Sequence, residues 1–310
     1  MKVVFITEGG KNFGFGHVVR CAALLEAFNE RGIESEFIVN ADDTVNGILE
    51  NIKHHKLDWL ASNRKVLRTI GKHDIVIIDS YLANFNSYEE ITKRARKAVY
   101  IDDYGRMRYP RGTVINSAIY AEELKYPQDN ESIYLLGPKY ICLRKEFWDI
   151  CAERKTGSSR KILITFGGMD YCDLIHKIVN YLKDKFEYIF NCIDLNKEKM
   201  NASRLLQAIL ESDVCISGGG QTVHNLARCG LSTIGICLSD NQLLNLKWWC
   251  KTGFLEFIGQ HKDIDLPQRI ERVLKAPDFA AFLKKGAIGQ RYIDGQGARR
   301  AVEAILAGAG

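Results

Sequence analysis

Proline is scarce in this chain, five among 310 residues, and no stretch is dominated by one residue type, which excludes a disordered or fibrous protein. Long apolar runs are missing too. A membrane helix needs roughly 18 to 20 consecutive apolar residues, and the longest candidates here are strand-sized pieces such as Ile75 to Ile78. A soluble chain with no membrane span is therefore expected. Charge of one sign is also missing, since 43 basic residues stand against 38 acidic ones and the surplus of five is spread along the chain. That balance suits a small anionic ligand better than a nucleic-acid groove. The nine cysteines are an odd number, and none forms a Cys-x-x-Cys pair or a Cys/His ligand ladder. Cys192, Cys215 and Cys237 lie in apolar strand-like segments, where a reduced cysteine behaves as a small hydrophobe. With Met1-Lys2-Val3-Val4-Phe5-Ile6 entering a strand directly, this usage leads us to expect a cytoplasmic protein.

What is present is an alternation of strands and helices. Short β-branched runs at Lys2 to Thr7, Glu36 to Val39, Ile75 to Asp79, Ala98 to Ile101 and Thr113 to Asn116 predict strands buried on both faces. Apolar residues at Val18, Cys21, Leu25 and Phe28 predict an amphipathic helix over Val18 to Glu30. The polar stretch Glu153 to Arg160 has the composition of a linker, after which the rhythm restarts. Strands follow at Lys161 to Phe166, Tyr188 to Cys192, Val214 to Ser217 and Ser232 to Cys237. The expected fold class is α/β, with two Rossmann-like doubly wound domains, 1–155 and 156–310, facing a cleft. Ligands of open α/β sheets sit beyond the carboxyl ends of the strands, so the residues after each strand are the candidates.

After the first strand comes Gly14-Phe15-Gly16-His17. It is not a dinucleotide fingerprint, because the third glycine would fall at Val19. It supplies two glycines and a histidine near a helix start, where positive potential keeps an imidazole neutral and fit to act as a general base. Asp79-Ser80-Tyr81 and Asp102-Asp103-Tyr104 follow later strands, each able to bring a carboxylate and a phenol to a cleft rim or simply to form turns. In the second half, Ser217-Gly218-Gly219-Gly220-Gln221-Thr222 precedes a helical run, and Gly167-Gly168 ends the first strand. Bare amides at a helix start make a diphosphate cradle, and the Walker pattern with its lysine is missing. Asn241-Gln242 offers amides suited to hydroxyl and acetamido groups, while Trp248 and Trp249 read as core.

As an ordered set, Gly14-Phe15-Gly16-His17-Val18-Val19-Arg20-Cys21, Asp79-x-Tyr81, Ile101-Asp102-Asp103, Leu136-Gly137-Pro138, Phe166-Gly167-Gly168-x-Asp170, the Ser217 loop, Asn241-Gln242 and Asp294-Gly295-x-Gly297-Ala298 resemble the PseG-type UDP-sugar hydrolases. The resemblance spans nearly the whole chain. It implies a GT-B fold related to the MurG-like glycosyltransferases, no metal or other cofactor, and release of UDP from UDP-2,4-diacetamido-2,4,6-trideoxy-β-L-altropyranose in pseudaminic acid biosynthesis. It further implies that His17 activates water for inverting attack at the anomeric carbon, with Asp79 and Tyr81 orienting the water or the sugar. Gly14, Gly16, Arg20 and Asp103 would bind substrate. Gly167, Gly168, Ser217, Gly218, Gly219, Gly220, Gln221, Thr222, Asn241 and Gln242 would meet the sugar diphosphate. Where the family has a glutamate for the ribose, this chain has Asn225, which keeps the hydrogen bond without the charge. A GT-B glycosyltransferase and a non-catalytic nucleotide-sugar binder are the alternatives.

Overall fold

The computed structural model describes residues 1–127, 132–150, 161–168, 170–193 and 201–308. The chain forms two units, the first made of Met1–Lys145 with Gly295–Gly310, the second of Glu146–Asp294.

Unit 1 carries strands β1 (Val3–Gly9), β2 (Ser35–Ala41), β3 (His54–Lys56), β4 (Ile75–Asp79), β5 (Lys97–Ile101), β6 (Thr113–Asn116) and β7 (Ile133–Leu136), with helices α1 (Gly16–Glu30), α2 (Asn46–Leu49), α3 (Asn63–Thr69) and α4 (Phe85–Thr92) between them. All strand pairings are parallel and the order is β3-β2-β1-β4-β5-β6-β7. The central strands are largely apolar because helices cover both faces, and Val3 to Ile6 and Ile75 to Ile78 are fully buried. One face packs Val4, Ile6, Val76 and Ile78 against Trp59, Tyr88 and Tyr100. Gly9 lets α1 close onto β1, since a Cβ there would lie 2.4 Å from Val18 Cγ2. The order reverses between β1 and β4, so the crevice beyond their carboxyl ends is the topological switch point of this unit.

Unit 2 carries β8 (Lys161–Thr165), β9 (Ile189–Cys192), β10 (Val214–Gly218), β11 (Ser232–Cys237) and β12 (Leu255–Gln260), with α5 (Cys172–Leu182), α6 (Ala202–Leu210), α7 (Thr222–Arg228), α8 (Asp240–Lys251), α9 (Leu266–Leu274), α10 (Phe279–Phe282) and α11 (Gly286–Gln290). Its parallel sheet has the order β12-β11-β10-β8-β9, with the switch point between β8 and β10. Ile162, Ile164, Val214, Ile216, Ile234 and Ile236 form one side of its core with α5 and α9. Cys215 and Cys237 are buried as expected, whereas Cys192 is exposed because β9 is an edge strand. Trp249 is in the core and Trp248 is half-buried under the Lys251 ammonium, 4.2 Å from its ring.

The boundary differs from the expected 155/156, and the last helix, α12 (Gly297–Ala307), belongs to unit 1 rather than to the second half. Its apolar stripe of Ala298, Ala301, Val302 and Ile305 is buried, and α12 packs on α1. Arg299 makes a two-pronged bond to Glu30 at 2.7 and 2.8 Å, and Lys97 Nζ donates to the Ile305 carbonyl at 2.6 Å. Gly297 sits so close to Ile141 that a Cβ would meet its carbonyl oxygen at 2.2 Å. The stretch Glu153 to Arg160 lies outside the described residues. No helix among the described residues is long and apolar enough to cross a membrane.

Candidate functional site

At the switch point of unit 1, the ends of β1, β4 and β5 and the start of α1 bring His17, Asp79, Tyr81, Arg20 and Asp103 together. After β1 the chain turns back on itself, with Gly10 and Gly14 exchanging backbone hydrogen bonds of 2.8 and 2.9 Å and Gly14 at φ +78. That turn starts α1 at Gly16, and no atom lies within 4 Å of a Cβ placed at Gly14 or Gly16, so the backbone here faces open space. His17 follows at 7% exposure. Its Nδ1 is 2.6 Å from Asp79 Oδ1, and its ring stands edge-on to Tyr81 with centroids 4.5 Å apart.

Asp79 is fully buried and its two oxygens are taken by His17 and by Arg20, whose Nε and Nη2 donate at 2.5 and 2.7 Å. The same guanidinium bridges to Asp103 at 2.6 and 3.0 Å, and the Tyr81 hydroxyl also donates to Asp103. Asp79 therefore holds His17, Tyr81 donates its hydroxyl to Asp103, and Arg20 and Asp103 brace that pair. One guanidinium between two carboxylates suits arginine's planar fork and leaves one negative charge uncompensated.

Burial and neighbouring charges together shift the His17 imidazole. Burial alone lowers its pKa, but Asp79, through charge and hydrogen bond, together with Asp103, outweighs burial and the Arg20 charge and leaves His17 above the ordinary imidazole value. Burial would raise Asp79, yet Arg20 and His17 hold it well below the carboxylate range. Burial and the Asp103 charge push the Tyr81 phenol far up, so it stays a hydroxyl. With Nδ1 committed to a carboxylate, the imidazole has Nε2 as its proton-accepting nitrogen, and Nε2 has no hydrogen bond among the described residues.

Sequence reasoning missed Glu8, the penultimate residue of β1. It is 1% exposed, its Oε1 accepts the Tyr81 N–H at 2.7 Å, and its Oε2 is buried without a partner among the described residues. The signal was a carboxylate at the end of a strand that is apolar up to Ile6.

At the switch point of unit 2, Gly167 (φ +74) brings the turn after β8 against α7, 3.7 Å from Thr222 Oγ1 as measured from a Cβ position. Gly168 is half-buried beside it. Ser217 and Thr165 are register partners on β10 and β8, both fully buried with hydroxyls that have no partner among the described residues. The three glycines are not equivalent. A Cβ at Gly218 would meet Leu238 at 2.5 Å, and one at Gly219 would meet Leu246 at 2.5 Å, so both are bare to let α8 and the end of β11 close in. Gly219 N–H donates to Gln242 Oε1 at 2.8 Å and its carbonyl accepts from Asn245 Nδ2 at 2.8 Å, so its amide is not free for a phosphate. Gly220 alone of the three is open, with only Gln242 Nε2 near, at 3.7 Å. Gln242 is thus a clamp on the loop that keeps its NH2 toward Gly220, and Asn245, one turn on, is a clamp that sequence reasoning missed. Gln221 is half-buried, and Thr222 and Asn225 are each 9% exposed on α7, a helix of only seven residues. Asn241 is exposed and accepts from Ser239 Oγ at 2.6 Å. Among the described residues, no three His, Cys, Asp or Glu side chains are grouped so as to hold a metal ion.

With this geometry in view, relatives and solved structures can be compared. The fold is that of the GT-B enzymes. MurG of Acinetobacter baumannii superimposes with a TM-score of 0.60 at 14% identity, over 99% of this chain and 100% of that one. UDP-GlcNAc 2-epimerase of Neisseria meningitidis, solved with UDP-GlcNAc bound, gives 0.62 at 14% identity over 99% and 100%. In sequence the chain is similar to the spore coat polysaccharide biosynthesis protein SpsG of Bacillus subtilis, 24% identical over 99% of this chain and 98% of SpsG. It is also similar to an uncharacterized protein of Methanocaldococcus jannaschii, 27% identical over 78% of this chain, and spans 56% of that protein's length. No family model matches the chain.

Proposed function

We propose that this chain is an enzyme acting on a UDP-sugar, in which His17 is the general base toward the anomeric carbon and the loops of unit 2 seat the diphosphate. The observation that carries the reading is the His17–Asp79 pair, 2.6 Å apart and braced by Arg20. In this mechanism Nε2 takes the proton of an incoming hydroxyl, the oxygen attacks the anomeric carbon on the face opposite the diphosphate, and the carbon–oxygen bond breaks with its electron pair leaving on UDP. Asp79 stabilises the imidazolium as it forms. Gly220 and the Gln242 NH2 meet the diphosphate, and Asn225 hydrogen-bonds the ribose.

Two acceptors fit this chemistry. Likeness in fold to MurG and in sequence to SpsG supports a sugar hydroxyl, and hence a glycosyltransferase of polysaccharide biosynthesis. The ordered PseG-type motifs support water, with UDP-2,4-diacetamido-2,4,6-trideoxy-β-L-altropyranose as the substrate. Assays of UDP release in EDTA separate them. Release without added acceptor, with the oxygen of labelled water found on the sugar, selects hydrolysis, whereas release that depends on an added acceptor selects transfer. For either acceptor, His17→Ala is expected to lower kcat by about 10²–10⁴-fold while UDP still binds, and full activity in that variant removes His17 from the mechanism.

A further inference from the structure

The chain passes from unit 1 to unit 2 after Lys145 and returns after Asp294. The first pass is gripped on either side of that boundary. In unit 1, Glu26 on α1 accepts Arg144 Nε at Oε1 and the Lys145 N–H at Oε2, both at 2.7 Å. In unit 2, Arg228 at the end of α7 donates Nε to the Phe147 carbonyl at 3.0 Å, and Nη2 to those of Trp148 and Ile150 at 2.7 and 3.1 Å. Glu146 stands between the two grips. Arg228 is 7% exposed and pairs with no carboxylate among the described residues. Its planar fork serves main-chain carbonyls, acceptors that a short irregular segment must satisfy from elsewhere. The return pass meets the same end of α7, because α11 leads into it and a Cβ at Gly289 of α11 would lie 2.7 Å from Ala227 Cα.

The two gripping helices are those that carry the groups proposed to react and to hold the ribose. His17 opens the helix on which Glu26 sits, and Asn225 stands one turn before Arg228. We propose that Glu26 and Arg228 are positioning residues for the reaction, tying the His17 helix and the Asn225 helix to one short segment of chain. The grip of unit 1 ends at the Lys145 N–H and that of unit 2 begins at the Phe147 carbonyl, so few backbone dihedrals lie between them. Hinges are built in this way, from a few residues at the ends of elements that absorb the change in φ and ψ. Each side chain acts through the helix it sits on and not through substrate. A base displaced by about 1 Å from its reacting partner can cost about 10²-fold in rate, so a tie remote from the chemistry is enough to matter.

The inference rests on the proposed reaction for its effect on turnover, and its first test needs no substrate. In the full-length wild type, exchange of the Arg228 Nε–H with solvent deuterium is followed by NMR beside the α7 amides. Its protection is expected to match theirs, because the bond to Phe147 opens only when α7 does. Rapid exchange of the Nε–H from an intact α7 would overturn the proposal, whether or not any variant folds. With substrate, Arg228→Met and Glu26→Ala are each expected to lower kcat by about 10–10²-fold while UDP affinity, measured by calorimetry, stays unchanged. Arg228→Lys, which keeps a donor for the carbonyls, should fall between Arg228→Met and wild type. Undiminished kcat in Arg228→Met or Glu26→Ala, or a loss of UDP affinity that accounts for the whole fall, would equally overturn it. A protected Nε–H in a wild type that releases no UDP from any sugar would instead count against the reaction and leave the tie between helix and segment standing.

Discussion

At the scale of residues, one buried cation organises unit 1's crevice. Arg20 satisfies Asp79 and Asp103 at once, and the leftover negative charge raises His17. Asp79→Asn removes most of that effect. His17 then falls toward or below its ordinary value of about 6.5, so the acid limb of kcat/KM moves to lower pH. Stability should fall by about 3–5 kcal/mol, because Arg20 loses a buried partner. His17, whose pKa is raised on folding, contributes stability that is complete below about pH 6.5 and is lost as pH climbs through its folded value. Denaturant unfolding of wild type should show that loss, and Asp79→Asn should flatten it; parallel curves would contradict the assigned cause. Placing His17, Asp79, Tyr81 and Asp103 after strands was within reach of the sequence, since β1, β4 and β5 are adjacent. Whether Asp79 would point at a substrate or at His17 was not, because spacing fixes where a residue stands and not which partner its side chain finds.

At the scale of elements, strands covered on both faces were legible and most edges were not. β4 reads as an apolar run up to Asp79 and β1 as one up to Ile6, and the edge strand β9 was read at Tyr188 to Cys192, whereas β3 is His54-His55-Lys56, and β7 and β12 are edge strands with half-exposed residues. Edge strands need only one partner, so their sequences carry little of the pattern. Glycines were legible as turns but not by role. Gly219→Ala puts a methyl 2.5 Å from Leu246 and 3.0 Å from the Gln242 carbonyl, and should destabilise unit 2 by about 1–3 kcal/mol in chemical denaturation. Gly220→Ala has room, with its nearest neighbour at 3.7 Å, so it should fold normally while weakening UDP binding by calorimetry. If the two variants behaved alike, the division of labour within the loop would be wrong.

At the scale of the molecule, the chain leaves unit 1 after Lys145 and comes back to it at Gly295. A composition break near Glu153 could mark a boundary but could not reveal that the last helix crosses back, because α12 looks like any other amphipathic helix until its partner α1 is known. Deleting residues 295–310 should therefore expose the α12-facing side of α1 and lower the melting temperature of unit 1 rather than unit 2, as hydrogen exchange resolved by residue would record. The account turns on His17 as a base toward a UDP-sugar. The most direct measurement follows UDP release from UDP-activated acetamido sugars in EDTA, with and without acceptor, by wild type and His17→Ala, with UDP binding measured alongside. Release by the wild type and its near-complete loss in His17→Ala with UDP affinity unchanged is the predicted result. No release by the wild type from any of these sugars under either condition, or undiminished release by the variant, would contradict it.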